Sequence, residues 1–362
     1  MAAFGWSFVL LPFIPVAVAL SVAGAGSTLV FLTSALGVIP TASLMGRATE
    51  ELAARSGPGI GGLLNVTFGN APELIIALFA LGAGLQEVVK ASIVGSIIGN
   101  VLLVMGASMF VGGVRRKHQQ FNETAANVQS TMLLLAVAAL AMPAVYVLVT
   151  GPPGLPSPTA DLVTYGPSVE TLSLVASGIL LAAYLAGLLF SLKTHRDLFN
   201  PTHSEAVDEA WSVKRSVAAL ALAGALVALM SEILVGSIEE TAVNLGLSEF
   251  FIGAIVVAIV GNAAEHWVAV LAARKDQMDL SVNISIGSSA QVALFVAPVL
   301  VFASYLIGPG PMPMVLNGFE LAAIILAALI AGQVTQDGRS TWFEGLQLLS
   351  VYAIVAVTFF VA

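Results

Sequence analysis

Long apolar runs recur along the whole chain, and each is long enough to cross a lipid bilayer as an α-helix. A crossing needs about 20 consecutive apolar residues, and only 9% of the 362 residues are charged, against about 25% in soluble domains. The sequence therefore predicts an all-α integral membrane protein with eleven transmembrane helices. We place them at 4–24, 25–45, 57–82, 87–112, 124–149, 169–192, 213–236, 247–273, 280–307, 314–332 and 343–361.

The basic residues give this arrangement a direction. Eleven spans put twelve of the thirteen Lys and Arg residues in or beside loops on one side, and only Lys90 on the other. Because basic residues accumulate on the cytoplasmic side, we expect the N-terminus inside and the C-terminus outside, in a prokaryotic cell membrane. The chain has no basic patch and no cysteine, which excludes nucleic acid as a partner and disulfides or thiol chemistry.

A duplication relates two stretches of the chain. GNAPELIIALFALGAGLQEVVKASIVGSIIGNVLLV at 69–104 aligns without gaps with GNAAEHWVAVLAARKDQMDLSVNISIGSSAQVALFV at 261–296, with ten of 36 positions identical at an offset of 192 residues. Upstream, ATEELA at 48–53 corresponds to SIEETA at 237–242. The copies lie five spans apart, an odd number, so they cross the membrane in opposite directions. Inverted repeats are typical of secondary transporters, with the substrate at the midplane where the repeats meet.

The repeat divides one transmembrane domain into four parts. We expect a leading helix at 4–24, a first five-helix repeat at 25–192, a cytoplasmic linker at 193–212 and a second five-helix repeat at 213–362. The sequence leaves open whether the protein is a monomer or a homo-oligomer in the lipid bilayer.

Each copy places a glutamate, Glu73 or Glu265, about midway along an apolar span. A charge at the bilayer centre costs at least a few kcal/mol, and such residues mark ion or proton pathways by default. Pro72 lacks an N–H and crowds the preceding turn, so with Gly69 we expect it to break the third helix just before Glu73. The second copy has alanine in place of the proline, so a break there would depend on Gly261.

Two asparagines accompany the glutamates. Asn70 and Asn262 precede them by three residues and share a helix face with them. Two carboxylates, amide oxygens and freed backbone carbonyls form an all-oxygen site, which suits a hard cation such as calcium. When the cation leaves, two carboxylates facing each other in a low-dielectric cavity take up protons as a coupled pair. Competition for one site is then enough to couple calcium to protons.

These motifs resemble the paired repeats of the calcium/proton antiporters, the cation/proton exchanger branch of the calcium:cation antiporter superfamily. The resemblance covers essentially the whole chain and includes QQFN at 119–122 and THRDLF at 194–199. It implies an eleven-helix exchanger that removes calcium from the cytoplasm against inward proton flow. Calcium is then the transported substrate and the proton the counter-ion, without a cofactor.

The resemblance also implies roles for particular residues. Glu73 and Glu265 would be the ion-binding carboxylates, with neutral groups around them. The neutral helpers are Asn70, Asn262, the pairs Gly95-Ser96 and Gly287-Ser288, and Gln291. Gly99 departs from the pattern, which predicts a small polar residue there, so a helper oxygen is missing at that position.

Purely structural roles remain open for these residues. The glutamates could be satisfied by neighbouring helices, and the asparagines could serve interhelical hydrogen bonding. Ser96, Ser288 and Gln291 also suit helix packing. His266 is either a packing or hydrogen-bonding histidine or a proton relay.

Acidic residues outside the centre also have two interpretations. Glu232, late in the seventh span, either guides cations on the outer side or is an interface carboxylate. Ordinary solvated helix ends are expected for the matched Glu50, Glu51, Glu239 and Glu240. The segment 193–215 mixes acidic and basic residues and is either a solvated linker or a calcium sensor.

Three other functions compete with calcium/proton exchange. A sodium/calcium exchanger of the same superfamily is expected to carry extra acidic or hydroxyl ligands, whereas each copy here has one carboxylate. An intramembrane metalloenzyme uses histidine or mixed ligands with an open water position, and the predicted centre is poor in histidine. A passive channel would show a flux that ignores an opposing proton gradient.

Overall fold

The computed structural model of the protein describes residues 5–151, 153–158, 163–194 and 211–362. Phe4, at the start of the predicted leading helix, lies outside this part of the chain, as do residues 195–199 of the THRDLF motif. The calcium-sensor interpretation of the linker concerns residues that also lie outside it, namely Asp197, Glu205, Asp208 and Glu209.

The described part is mostly helical. Its helices are α1 (Ser7–Val22), α2 (Ser27–Arg55), α3 (Gly57–Gly69), α4 (Ala71–Gly82), α5 (Gln86–Gly113), α6 (Glu123–Thr150), α7 (Pro167–Thr194), α8 (Val213–Val235), α9 (Ile238–Leu245), α10 (Glu249–Arg274), α11 (Met278–Ala303), α12 (Gly318–Val334) and α13 (Trp342–Val361). Two short strands, β1 (Gln119–Gln120) and β2 (Arg339–Ser340), pair antiparallel.

Within the described residues, nine helices are long and apolar enough to cross a membrane. They are α2, the Leu63–Gly82 stretch that joins α3 and α4, α5, α6, α7, α8, α10, α11 and α13. Two shorter apolar helices, α1 and α12, lie where the first and tenth spans are predicted. The protein is therefore a multi-pass membrane protein.

The third predicted span is broken in the middle, as Gly69 and Pro72 predict. Helix α3 ends at Gly69, α4 begins two residues later, and Asn70 between them has φ −94° and ψ 17°, outside the helical region. Proline is accommodated at the start of α4 because its missing N–H has no partner to lose there. In the second copy, α10 runs unbroken through Gly261, because Ala264 keeps the N–H that proline lacks.

Helix α2 is longer than predicted and continues to Arg55. Glu50 and Glu51 therefore lie in the last two turns of a helix, where Glu50 is exposed, as expected, and also lines the central cavity. Glu239 and Glu240 are exposed in the first turn of α9, as a solvated helix end requires.

Lys90, the single basic residue predicted on the outer side, is buried in α5. Its ammonium group donates to Glu87 Oε1 at 2.7 Å and to the carbonyl oxygen of Val315 at 3.0 Å. Because the positive-inside rule concerns basic residues in loops, this buried and paired lysine does not oppose the predicted orientation.

Helix α5 lies at the centre of the bundle. In its most apolar 18-residue stretch 94% of the residues are buried, against 17% in the corresponding stretch of α13. Gly95 allows α10 to approach it closely, because a Cβ at Gly95 would overlap the backbone of Ala254. This close contact holds Ser96 of α5 beside α10, the helix that carries Glu265.

Candidate cation site

A cavity of about 370 Å³ lies at the centre of the bundle. Both predicted carboxylates line it, Glu73 from α4 and Glu265 from α10. The other polar lining residues are Thr49, Glu50, Asn65, Asn70, Gln129, Tyr184, Ser191, Asn283, Ser288 and Gln291. The described residues that line the cavity include no Lys, Arg or His, so the local field favours a cation.

The two copies of the motif meet reciprocally beside the carboxylates. A Cβ on Gly69 would lie 3.6 Å from Glu265 Oε1, and a Cβ on Gly261 would lie 3.5 Å from Glu73 Cγ. The glycine of each copy thus lies against the glutamate of the other copy, at a distance where an added Cβ would make ordinary van der Waals contact.

The asparagines bridge the two copies as well. Asn70 Oδ1 accepts a hydrogen bond from the Ser288 hydroxyl at 2.9 Å, and Asn70 Nδ2 donates to Gln291 Oε1 at 2.7 Å. In the other crossing, Asn262 Nδ2 donates to Ser96 Oγ at 3.1 Å. Each asparagine is therefore fixed by a serine from the opposite copy.

Two buried oxygens at this crossing have no hydrogen-bond partner among the described residues, namely Glu73 Oε2 and Asn262 Oδ1. An unpaired buried acceptor costs about 1–3 kcal/mol, and more when it is charged. A proton or a cation on Glu73 removes that cost. Carboxylate, amide and hydroxyl oxygens are the ligands that calcium prefers, so the residues present fit a hard cation.

The structure brings most of the predicted residues to the cavity. Those that line it are Gly69, Asn70, Pro72, Glu73, Gly261, Glu265, Gly287, Ser288 and Gln291. Asn262 and Ser96 are buried and bonded to each other, but they lie outside the cavity lining. Glu232 is exposed on α8 and also lies outside it.

Asn100 belongs to this network although it is absent from the predicted site. It is buried, its Oδ1 lies 3.0 Å from His266 Nε2, and its Nδ2 donates to Ser288 Oγ at 3.4 Å. It follows Gly99, so α5 supplies an amide one residue beyond the position where a polar residue is expected. The signal in the sequence is an asparagine within an apolar span. Alignment of the two copies does not reveal Asn100, because the second copy has Val292 at the matching position.

His266 points toward Asn100 and does not line the cavity. Its contact is that of a hydrogen-bonding histidine, and it is not placed as a ligand. Among the described residues, no group of three or more His, Cys, Asp or Glu is arranged to hold a metal ion. The cavity therefore lacks the mixed ligand set of a catalytic metal.

Glu50, Gln129 and Asn283 are further lining residues that the sequence did not assign to the site. Gln129 Nε2 donates to Asn283 Oδ1 at 2.5 Å. Each of the three lies within about two turns of the end of its helix, so they line the part of the cavity nearest the helix ends. Glu50 adds a third carboxylate to the lining.

Fold and site together define a class, that of multi-pass helical membrane proteins with an acidic, all-oxygen cavity at the centre of the bundle. The chain belongs to the sodium/calcium exchanger protein family, whose sequence profile matches residues 26–193 and 215–361. The gap between the two matched parts falls at the linker expected from the sequence.

Similar proteins with curated names span nearly the whole chain. A Ca(2+)/H(+) antiporter of Synechocystis is 44% identical over 97% of this chain and 96% of its own length. The Ca(2+)/H(+) antiporter ChaA of Bacillus subtilis is 44% identical over 92% of both chains. The vacuolar cation/proton exchanger 3 of rice, Oryza sativa subsp. japonica, is 40% identical over 97% of this chain and 85% of its own.

Solved structures show the same fold. The structure of YfkE, a Ca2+/H+ antiporter, superposes with a TM-score of 0.82 at 40% identity, covering 98% of this chain and all of that one. The H+/Ca2+ exchanger CAX superposes with a TM-score of 0.70 at 17% identity over 99% of this chain and 93% of its own. At that identity the second match shows the fold alone.

Proposed function

We propose that the protein is a secondary active antiporter that exchanges calcium for protons and exports calcium from the cytoplasm. The observation that carries this proposal is the meeting of Glu73 and Glu265, one from each copy of the repeat, in a cavity whose described lining has no basic residue. Two carboxylates balance one calcium ion or two protons, so a single site exchanges one for the other. The names of the similar antiporters support the same choice of ions.

The proposed architecture is that of eleven spans, with a leading helix at 4–24, repeats at 25–192 and 213–362, and a cytoplasmic linker at 193–212. The short apolar helices α1 and α12 supply the two spans beyond the nine long ones. The reciprocal glycine, glutamate, asparagine and serine contacts support two inverted copies that meet at the site.

Each residue of the site has a proposed role. Glu73 and Glu265 bind calcium or protons, while Asn70, Ser288 and Gln291 supply neutral oxygens. Gly69 and Gly261 each lie against the glutamate of the opposite copy, and Pro72 separates α3 from α4. Asn262 and Ser96 support the site from behind, and Glu232 stays a proposal for the outer approach, since it is an exposed carboxylate on α8.

In an alternating-access cycle, each state opens the ion site to one side of the membrane. The cavity is lined by Glu50, five residues before Arg55, and by Ser191 and Leu192, next to Lys193. Those basic residues lie on the side that the positive-inside rule assigns to the cytoplasm. We therefore propose that this conformation faces the cytoplasm, where calcium is collected, with the N-terminus inside, the C-terminus outside, and a prokaryotic cell membrane as the location.

Sodium/calcium exchange is the second candidate, favoured by the name of the family. Two sodium ions carry the charge of one calcium ion, but they need more ligands than two carboxylates and a few neutral oxygens. Each copy contributes one carboxylate to the crossing, which favours protons. A metalloenzyme is disfavoured because His266 contacts Asn100 and lies outside the cavity lining.

Calcium uptake into inside-out vesicles, with and without an imposed pH gradient, tests the proposal. An acidic interior should drive uptake, since protons leave as calcium enters. A calcium flux that ignores an opposing proton gradient would indicate a passive channel.

A further inference from the structure

The QQFN segment at 119–122 lies outside the cavity, yet every one of its residues is fixed to another part of the fold. Gln119 and Gln120 form β1, which pairs with β2, and the Phe121 N–H donates to the carbonyl oxygen of Gly338 at 3.0 Å. Asn122 caps α6 by accepting from the Ala125 N–H at 3.0 Å. The segment thus connects the end of α5 to the loop before α13.

The side chain of Gln119 and the backbone of Asn122 contact the turn between α10 and α11, residues 273–279. Gln119 is buried, and its Nε2 donates to the carbonyl oxygen of Ala273 and to Asp276 Oδ1, both at 2.8 Å. The Asn122 N–H donates to Asp279 Oδ1 at 2.5 Å. One side of the turn is therefore tied to a segment that belongs to the other copy of the repeat.

The backbone of this turn is strained at the residue that Gln119 contacts. Asp276 has φ +66° and is the one non-glycine residue with positive φ in the described part of the chain. Aspartate tolerates this left-handed conformation better than most residues but at a cost that glycine avoids. The position 192 residues earlier is Gly84, with φ +87°. An aspartate thus occupies a position whose backbone conformation favours glycine. Its carboxylate accepts the hydrogen bond from Gln119.

The opposite side of the membrane has a related arrangement. The loop after α11, at 308–317, packs on the turn between α4 and α5. Gln86 Nε2 donates to the carbonyl oxygen of Gly310 at 2.8 Å, and a Cβ on Gly308 would overlap the carbonyl oxygen of Leu81. Leu81 is the repeat mate of Ala273. In both copies, a loop of the other copy lies against the turn after the glutamate-bearing helix, through a hydrogen bond to the carbonyl oxygen of Ala273 in one case and a close backbone approach to Leu81 in the other.

We infer that segment 119–122 is a permanent brace in which Gln119 and Asp276 act as positioning residues for Glu265. This rests on the proposed exchange of calcium and protons. Glu265 lies nine residues before the end of α10, about 13 Å along a stiff helix. The brace ties that end to α5, which carries Ser96 and Asn100. Loosening the tie lets Glu265 move relative to its neutral partners and weakens calcium binding.

Four single variants separate positioning from backbone strain. Gln119→Ala removes the donor, and Asp276→Gly removes the acceptor while relieving the strained φ; each should raise the KM for calcium at least fivefold. Asp276→Asn keeps an acceptor and should stay within about twofold of wild type. Gln120→Ala, at an exposed neighbour of the same residue type, should match wild type. Rates are measured per monodisperse transporter in proteoliposomes, so that losses of folded protein do not enter the comparison.

A cross-link then tests whether the contact between Gln119 and Asp276 persists throughout the transport cycle. The chain has no cysteine, so the pair Gln119→Cys and Asp276→Cys can be joined by a short bifunctional thiol reagent. The linked protein should transport calcium with a KM below that of the unlinked pair. Arrest by the linker would overturn the brace, because the contact would then have to open. Normal KM values for calcium in both Gln119→Ala and Asp276→Gly would also overturn the brace. Wild-type protein without calcium/proton exchange would instead refute the proposed function.

Discussion

The Ser288 hydroxyl donates to the amide oxygen of Asn70 across 2.9 Å, and so joins the two copies of the repeat at the cavity wall. The related pair, Ser96 and Asn262, is bonded at 3.1 Å with the asparagine as donor. The same residue types therefore meet twice, but the asparagine oxygen is occupied in one crossing and has no partner among the described residues in the other. The two copies are therefore related without having identical hydrogen bonds.

The two carboxylates should be separately indispensable. Glu73→Gln or Glu265→Gln should abolish calcium/proton exchange while the folded protein is still extracted, because the amide keeps the volume but removes one of two charges that balance calcium. The measurement is calcium flux per folded transporter. Glu239→Gln, at an exposed carboxylate outside the cavity lining, is the control and should retain most activity. Near-normal transport by either cavity variant would refute the site.

The asparagines should contribute unequally. Asn70→Ala removes partners of Ser288 and Gln291 at the cavity wall, and one hydrogen bond contributes about 1 kcal/mol, or roughly fivefold in the calcium KM. Asn262→Ala acts behind the wall, so it should weaken transport less and lower thermal stability more. Calcium KM values and melting temperatures of the two purified variants test this difference. Equal and wild-type KM values would reduce both asparagines to packing residues.

Two glycines of α5, four residues apart, should differ in their tolerance of alanine. A Cβ at Gly95 would overlap the backbone of Ala254, whereas a Cβ at Gly99 meets nothing within 4 Å. Overpacking costs about 1–3 kcal/mol, so Gly95→Ala should lower the melting temperature and separate α5 from α10. Gly99→Ala, the matched control, should behave as wild type. Comparable melting curves for the two variants would contradict the close helix contact.

Calcium binding should weaken as the pH falls. Protons compete for the same two carboxylates, so each proton displaced by calcium adds about one log unit of apparent dissociation constant per pH unit over the range where the empty site is protonated. The slope approaches two log units when both carboxylates are protonated. Isothermal calorimetry over a pH series, with Glu239→Gln as control, measures this slope. A dissociation constant independent of pH would remove the competition mechanism.

The carboxylates of the site could be predicted from the sequence because duplication amplifies their signal. A charged residue that recurs at a fixed offset within two apolar spans has few structural explanations, and the break at Pro72 follows from the missing N–H of proline. Asn100 could not be found in that way, since its repeat mate is Val292 and the comparison of copies conceals it. Only the folded chain shows that it contacts Ser288.

The sequence also did not predict that Glu50 lines the cavity. The apolar run of the second span ends before Glu50, so hydropathy ends the helix too early, while the polar GRATEELAAR stretch continues it to Arg55. Helix propensity favours this continuation, but only packing decides that Glu50 faces the cavity. Likewise, the spacing of Gln119 and Asp276 along the chain gives no hint that their side chains meet.

Calcium flux under opposed gradients tests the central claim most directly. Purified protein is reconstituted in vesicles, and either a proton or a sodium gradient is imposed while internal calcium is followed. We expect an acidic interior to drive calcium uptake, a proton-collapsing agent to stop it, and a sodium gradient at matched pH to have no effect. Uptake driven by sodium at matched pH, or uptake untouched by collapse of the proton gradient, would contradict calcium/proton exchange.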